Sequence, residues 1–148
     1  PGRAERINRL KTLKPGQATG RLIGGNLSLI THLLGTPYAP DFRGAILFLE
    51  DVDEAPYRID RMLTALWLAG VFDQIAGLVI GKFTNAQASG PSLSIDTILN
   101  DRVAPLSIPV LQGLMIGHIE DQATLPVGAM ATLDADRQQL TVVGPYLV

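Results

Sequence analysis

The sequence predicts a single α/β domain: a mostly parallel central sheet covered by helices, with an antiparallel ribbon at its carboxyl end. Three observations carry that expectation. Strand-like and helix-like stretches alternate along the chain. The central strand candidates, Gly44 to Leu49 and Ala76 to Ile80, are almost continuously apolar, as strands covered on both faces are. The last stretch pairs Ala129–Leu133 with Leu140–Val143 across Asp134-Ala135-Asp136, a hairpin pattern. At 148 residues the chain has the length of one ordinary domain and can bury a real core.

Each element follows from local chemistry. Residues 4–13 are mostly polar, and Pro15-Gly16 ends whatever helix they form. Ala18 to Ile23 reads as a short strand broken by Gly24-Gly25. Asn26 then suits the N-cap of a helix through Leu34, with Gly35 just past its end. Ile59, Met62, Leu63, Leu66 and Trp67 fall at i, i+3, i+4, i+7 and i+8, the spacing of one helix face, and Gly70 stops it. A polar loop spans 84–92, Ser94 caps a short helix to about Arg102, and Pro109 to Leu111 is a third strand.

Composition removes several functions. The chain is 47% hydrophobic and 18% charged with net charge −2, which leaves no basic footprint for nucleic acid or an anionic membrane. No apolar run approaches the ~20 residues that span a bilayer. Without cysteine there is no disulfide or thiolate metal site, which fits a reducing compartment. The chain opens on Pro1-Gly2-Arg3 with neither an initiator Met nor a signal peptide, so it reads as the interior of a longer protein.

Two stretches could carry chemistry. In ILFLEDVDEAPYRID, residues 46–60, an apolar strand runs straight into Glu50, Asp51, Asp53 and Glu54. Reactive groups in α/β sheets collect at the carboxyl ends of strands, and a half-desolvated Glu50 there needs a partner such as an imidazole. Asp53 and Glu54 read more simply as a solvated turn near a helix N-terminus. For Glu50 the residues alone leave both readings open. In GLMIGHIEDQATLPVG, residues 113–128, His118 sits in a glycine-flanked loop after a strand. Such an imidazole can approach another group closely and suits a general base, although a lone loop histidine is more often structural. His32, within an apolar-periodic helix, reads as a surface or packing residue.

The remaining patterns are negative. Gly20, Gly24 and Gly25 match neither G-x-G-x-x-G nor a P-loop, so they read as tight turns or a close backbone approach. No serine lies in a G-x-S-x-G elbow or an S-x-x-K pair. Two histidines 86 positions apart do not make a metal motif. Glu50 and His118 therefore look like an orienting acid and a base without a nucleophile.

Taken in order, GRLIGGNLSLI, LLGTPY, LFLEDVDEAPYRIDRML, GLVIGKF and GHIEDQATLPVGA resemble the carboxyl-terminal half of the L,D-carboxypeptidases, from about Ala18 to Ala131. This serine peptidase family includes muramoyl-tetrapeptide carboxypeptidases and a microcin C self-immunity peptidase. The resemblance implies a swivelling β/β/α domain over 18–148, preceded by an interdomain linker at 1–17. It further implies an absent amino-terminal domain that bears the nucleophilic serine and would be the chain's own partner. Catalytic roles would fall on Glu50 and His118 as two members of a Ser-Glu-His triad, and Asn26 of the G-G-N motif would line the substrate cleft. Asp51, Asp53 and Glu54 would form that loop's rim. The implied reaction releases terminal D-alanine from a murein peptide in the cytoplasm, with no metal or cofactor, in an enzyme that is often a homodimer. Competing expectations are a non-catalytic peptide-binding module of the same fold, a hydrolase of nucleotide-peptide antibiotics, and an acidic docking domain using the 50–54 cluster.

Overall fold

A computed structural model describes residues 9–144. In chain order the elements are β1 (Lys11–Lys14), β2 (Gln17–Asn26), α1 (Leu27–Leu33), β3 (Ile46–Val52), α2 (Pro56–Leu68), α3 (Val71–Gln74), β4 (Gly77–Thr84), α4 (Ile95–Val103), β5 (Val110–Gln112), β6 (Met130–Asp134) and β7 (Gln139–Val142). The strands form one sheet in the order β1-β5-β4-β3-β2-β6-β7. Its four central strands are parallel. Antiparallel strands flank them, β1 on one edge and the β6–β7 ribbon on the other. The expected α/β architecture is therefore present. No helix among the described residues is long and apolar enough to cross a membrane.

The sheet curls. Thr12, in the β1 edge strand, donates its hydroxyl to the Ala135 carbonyl just beyond β6, and the Ala135 N–H reaches the Gly16 carbonyl at 3.0 Å. The two margins thus meet at one end, giving a half-barrel with an outer and an inner face. Period-two alternation sends Leu47, Leu49, Leu78 and Ile80 outward against Leu27 and Ile30 of α1, Ile59 and Leu66 of α2, and Ile98 and Leu99 of α4. The alternate residues, Ile46, Phe48, Val79 and Leu111, pack inside with Leu22, Ile116, Ala131 and Leu133.

Several elements differ from expectation. Residues 4–8 lie outside the described set, and Lys11–Lys14, expected in a polar helical stretch, is instead a strand held by β5. β2 does not break at Gly24-Gly25 but continues to Asn26, because glycine adopts φ of +152° and +145° without a Cβ penalty. Trp67 is 50% exposed, so the buried face of α2 ends at Leu66. The caps expected at Asn26 and Ser94 are formed, accepting the Leu29 and Thr97 N–H groups at 3.2 and 3.1 Å.

The difference that matters most concerns β3. It runs past Leu49 through Glu50 and Asp51 to Val52, so these acids belong to the strand and not to a turn. Asp51 follows Leu49 to the outer face and is 2% exposed. Its Oδ1 accepts from Asn26 Nδ2 (2.8 Å) and the Val52 N–H (2.9 Å). Its Oδ2 accepts the Ser28 N–H (2.9 Å) and hydroxyl (2.8 Å). Four donors satisfy the buried charge and fasten the start of α1 to the sheet. Asp51 is therefore a buried anchor, not the loop rim expected of it.

Asp51→Ala leaves those donors unpaired and should cost about 3 kcal/mol in urea denaturation, with the slope unchanged. A loss below about 0.5 kcal/mol, the scale of an ordinary surface substitution, would refute the anchoring role.

Candidate active site

Glu50 takes the opposite face from Asp51. It follows Ile46 and Phe48 to the inside of the half-barrel, where its side chain is 11% exposed. A carboxylate this enclosed needs a hydrogen-bonding partner.

The partner arrives from β5, two strands away. After Gln112 the chain crosses over the end of β4. The Gly113 and Leu114 N–H groups donate to the Ile80 carbonyl at 2.8 and 3.2 Å, and the Lys82 N–H donates to the Ile116 carbonyl at 3.1 Å. Two glycines permit this crossing. A Cβ on Gly81 would lie 2.4 Å from Ile116 Cγ1 and 2.8 Å from its carbonyl oxygen. A Cβ on Gly117 would lie 2.8 Å from Glu50 Oε2, and Gly117 holds φ +113°, where L side chains are strained. Past Gly117, His118 places Nδ1 2.9 Å from Glu50 Oε2. The Thr84 hydroxyl donates to the His118 carbonyl at 3.2 Å and steadies the loop from β4.

The chemistry of the pair follows from donor and acceptor inventory. An ionised carboxylate only accepts, so Nδ1 of a neutral His118 carries the proton and Nε2 keeps its lone pair. Nε2 has no hydrogen-bond partner among the described residues, and the side chain is 56% exposed. It opens onto a cleft of about 1080 Å³ whose walls include Gly24, Gly25, Phe48, Lys82 and the 118–123 segment. Burial lowers the pKa of the Lys82 ammonium below the ordinary lysine value. No serine lines the cleft among the described residues, and the Ser28 hydroxyl is held by Asp51 on the other face of the sheet.

The other singled-out residues sit apart from this pair. Asn26 is engaged by the fold, its Oδ1 capping α1 and its Nδ2 donating to Asp51; it is not among the residues lining the cleft. Asp53, at φ +57°, accepts from Asn85 Nδ2 at 3.0 Å, and Glu54 pairs with Arg58 at 3.5 Å in the first turn of α2. Those two are turn and helix-start residues. His32 is exposed on α1. Sequence reading did not single out Gly81, Lys82 or the burial of Asp51. Extending the β3 alternation by two residues past Leu49 would have located Asp51.

Residues 19–133 match the model of the LD-carboxypeptidase C-terminal domain. The "Probable murein peptide carboxypeptidase" of Bacillus subtilis is 42% identical over 132 residues, which cover 88% of this chain and 41% of that protein. The structure of the microcin C7 self-immunity protein MccF, from Escherichia coli, superposes with TM-score 0.85 at 30% identity, covering 95% of this chain and 42% of that one. The crystal structure of muramoyltetrapeptide carboxypeptidase from Oxalobacter formigenes gives TM-score 0.80 at 35% identity, covering 96% and 54%. The chain thus spans about two fifths of the length of the Bacillus relative.

Gly81→Ala should push Ile116 off β4 and break the Lys82–Ile116 bond. Amide hydrogen exchange at Lys82 should then quicken at least about tenfold, the equivalent of one backbone bond's net contribution. Unchanged protection at Lys82 would show that the crossing does not depend on the missing Cβ.

Proposed function

Because the chain belongs to the LD-carboxypeptidase family, whose carboxyl-terminal domain it matches over residues 19–133, we propose that it supplies the acid and base of a serine-type L,D-carboxypeptidase. The reaction is hydrolysis of the amide that joins an L-centre to a terminal D-alanine in a murein tetrapeptide, as in peptidoglycan recycling. The observation that carries the reading is the 2.9 Å contact between Glu50 and His118 Nδ1, with His118 lining an open cleft.

In this mechanism the nucleophile is a serine hydroxyl from an amino-terminal domain of the parent protein, to which this chain, with β1 already part of its sheet, adds the second domain. His118 Nε2 takes the hydroxyl proton as the oxygen attacks the scissile carbonyl carbon, and Glu50 stabilises the imidazolium that forms. His118 then gives the proton to the departing D-alanine amine as the C–N bond breaks. Water, deprotonated by the same nitrogen, releases the peptide acid and restores the serine. No metal or cofactor enters. Asn26 and Asp51 act from behind, fixing the strand ends that form the cleft's floor. The setting we assign is the cytoplasm.

A second reading has its own support. The chain superposes better on the microcin immunity protein than on the muramoyltetrapeptide carboxypeptidase, whereas its identity is higher with the Bacillus carboxypeptidase. Offering the parent enzyme an L,D-tetrapeptide and a glutamyl sulfamoyl nucleoside side by side separates them. We expect the tetrapeptide to be preferred in kcat/KM; preference for the nucleoside would favour the immunity-type substrate.

In the full-length protein, His118→Ala should lower kcat for D-alanine release by roughly 10⁴-fold. Glu50→Ala combined with it should lose little more than the worse single variant, because residues acting as a unit are not additive. A His118→Ala enzyme keeping a third of wild-type kcat would overturn the assignment. The 148-residue chain alone should release no D-alanine; turnover above that of its own Glu50→Ala, His118→Ala variant would place the nucleophile within this sequence.

A further inference from the structure

One edge of the sheet is left open in the cleft that His118 lines. β6 pairs with β2 only from Gln17 to Arg21, and the pairing ends with Leu22, whose N–H donates to the Ala129 carbonyl (2.8 Å) and whose carbonyl accepts the Gly128 N–H (2.7 Å). β2 itself continues to Asn26, paired on its other side with β3. Beyond Leu22, no strand among the described residues covers the β6-side edge of β2.

The backbone directions on that edge can be derived. Peptide groups in a strand alternate with period two, so the N–H and C=O of Gly24 point the same way as those of Leu22, away from β3. Hypothetical side chains give the same answer independently. A Cβ on Gly24, at φ +152°, would fall 1.9 Å from the Phe48 carbonyl oxygen, which puts its α-hydrogen side toward β3 and its polar groups toward the open edge. At Gly25, which alternates with it, a Cβ would meet nothing within 4 Å. Both glycines line the same cleft as Glu50 and His118.

We infer that this edge binds the main chain of the peptide substrate by strand addition, the Gly24 N–H donating to a peptide carbonyl and the Gly24 carbonyl accepting a peptide N–H. Several features point to a backbone as the occupant. A bare strand edge recognises another extended backbone through its own hydrogen-bonding groups. Two successive glycines present no side chain that could read one, and they leave room for close approach. The segment is short, which suits a short peptide. It also lines the same cleft as His118, whose ring would act on the scissile amide. Gly24-Gly25 thus becomes a positioning element that holds the peptide in register with His118. The inference rests on the peptidase reading above and adds the mode of binding.

The test uses the full-length protein and a tetrapeptide whose scissile amide is replaced by a ketomethylene group, so that binding is read without turnover. At saturation the Gly24 amide should exchange at least tenfold more slowly, and N-methylation of one of the two remaining peptide amides should weaken Kd by roughly tenfold, the loss of one hydrogen bond. Three outcomes of the binding measurement overturn the proposal: unchanged Gly24 exchange at saturation, both N-methyl peptides binding within about twofold of the parent, or no binding. A Gly24 amide already protected in the peptide-free protein also overturns it, since another segment would then occupy the edge. The catalytic reading fails separately: if the analogue protects Gly24 while His118→Ala cleaves the parent amide tetrapeptide at full rate, strand addition stands and the base is removed.

Discussion

A β-strand turns successive side chains to opposite faces, and at the end of β3 this alternation separates two neighbouring carboxylates by the thickness of the sheet. Glu50 goes inward to the cleft, and Asp51 goes outward under α1. A shift of one residue in the strand register would exchange them, exposing the anchor and burying the orienting acid in the helical layer. Five consecutive registered pairs with β2, from Leu22↔Ile46 to Asn26↔Glu50, resist such a shift. The same register brings Asn26 opposite Glu50, within reach of the neighbouring Asp51.

The imidazole's position depends on a second constraint, the absence of two side chains. β5 is not adjacent to β3, so a residue that follows β5 meets Glu50 only by crossing β4. Gly81 leaves the floor on which Ile116 lies, and Gly117 leaves the gap through which Glu50 reaches the ring. Both contacts would be closer than real Cβ atoms tolerate, so the site is built as much from omitted atoms as from polar groups. Ile116 links this crossing to the inner core, where it packs with Phe48 and Val79.

Much of this was legible in the sequence, and the reasons differ by element. Apolar runs located the central strands because both faces of those strands are covered, and Asn26 and Ser94 declared themselves as caps. Long-range pairing could not be read from periodicity: β1 looked polar because it is a short, half-buried edge strand with two lysines among its four residues, and β2 looked broken because glycine usually interrupts a strand. Acidic residues suggested a turn after Leu49, whereas the strand continues because each carboxylate there finds donors in the fold. Glu50 and His118 could be singled out by position, but the physical pattern alone did not show that residues 68 apart in sequence meet; the family resemblance supplied that link.

The central claim is that Glu50 fixes the tautomer of His118 so that Nε2 faces the cleft as a base. Nitrogen-15 NMR of the histidine ring, recorded above the pH range in which imidazole titrates, measures this directly. The account predicts a proton on Nδ1 and an unprotonated Nε2 in the wild-type protein, and loss of that preference in Glu50→Ala. A ring protonated on Nε2, or the same tautomer balance with and without the Glu50 carboxylate, would contradict it.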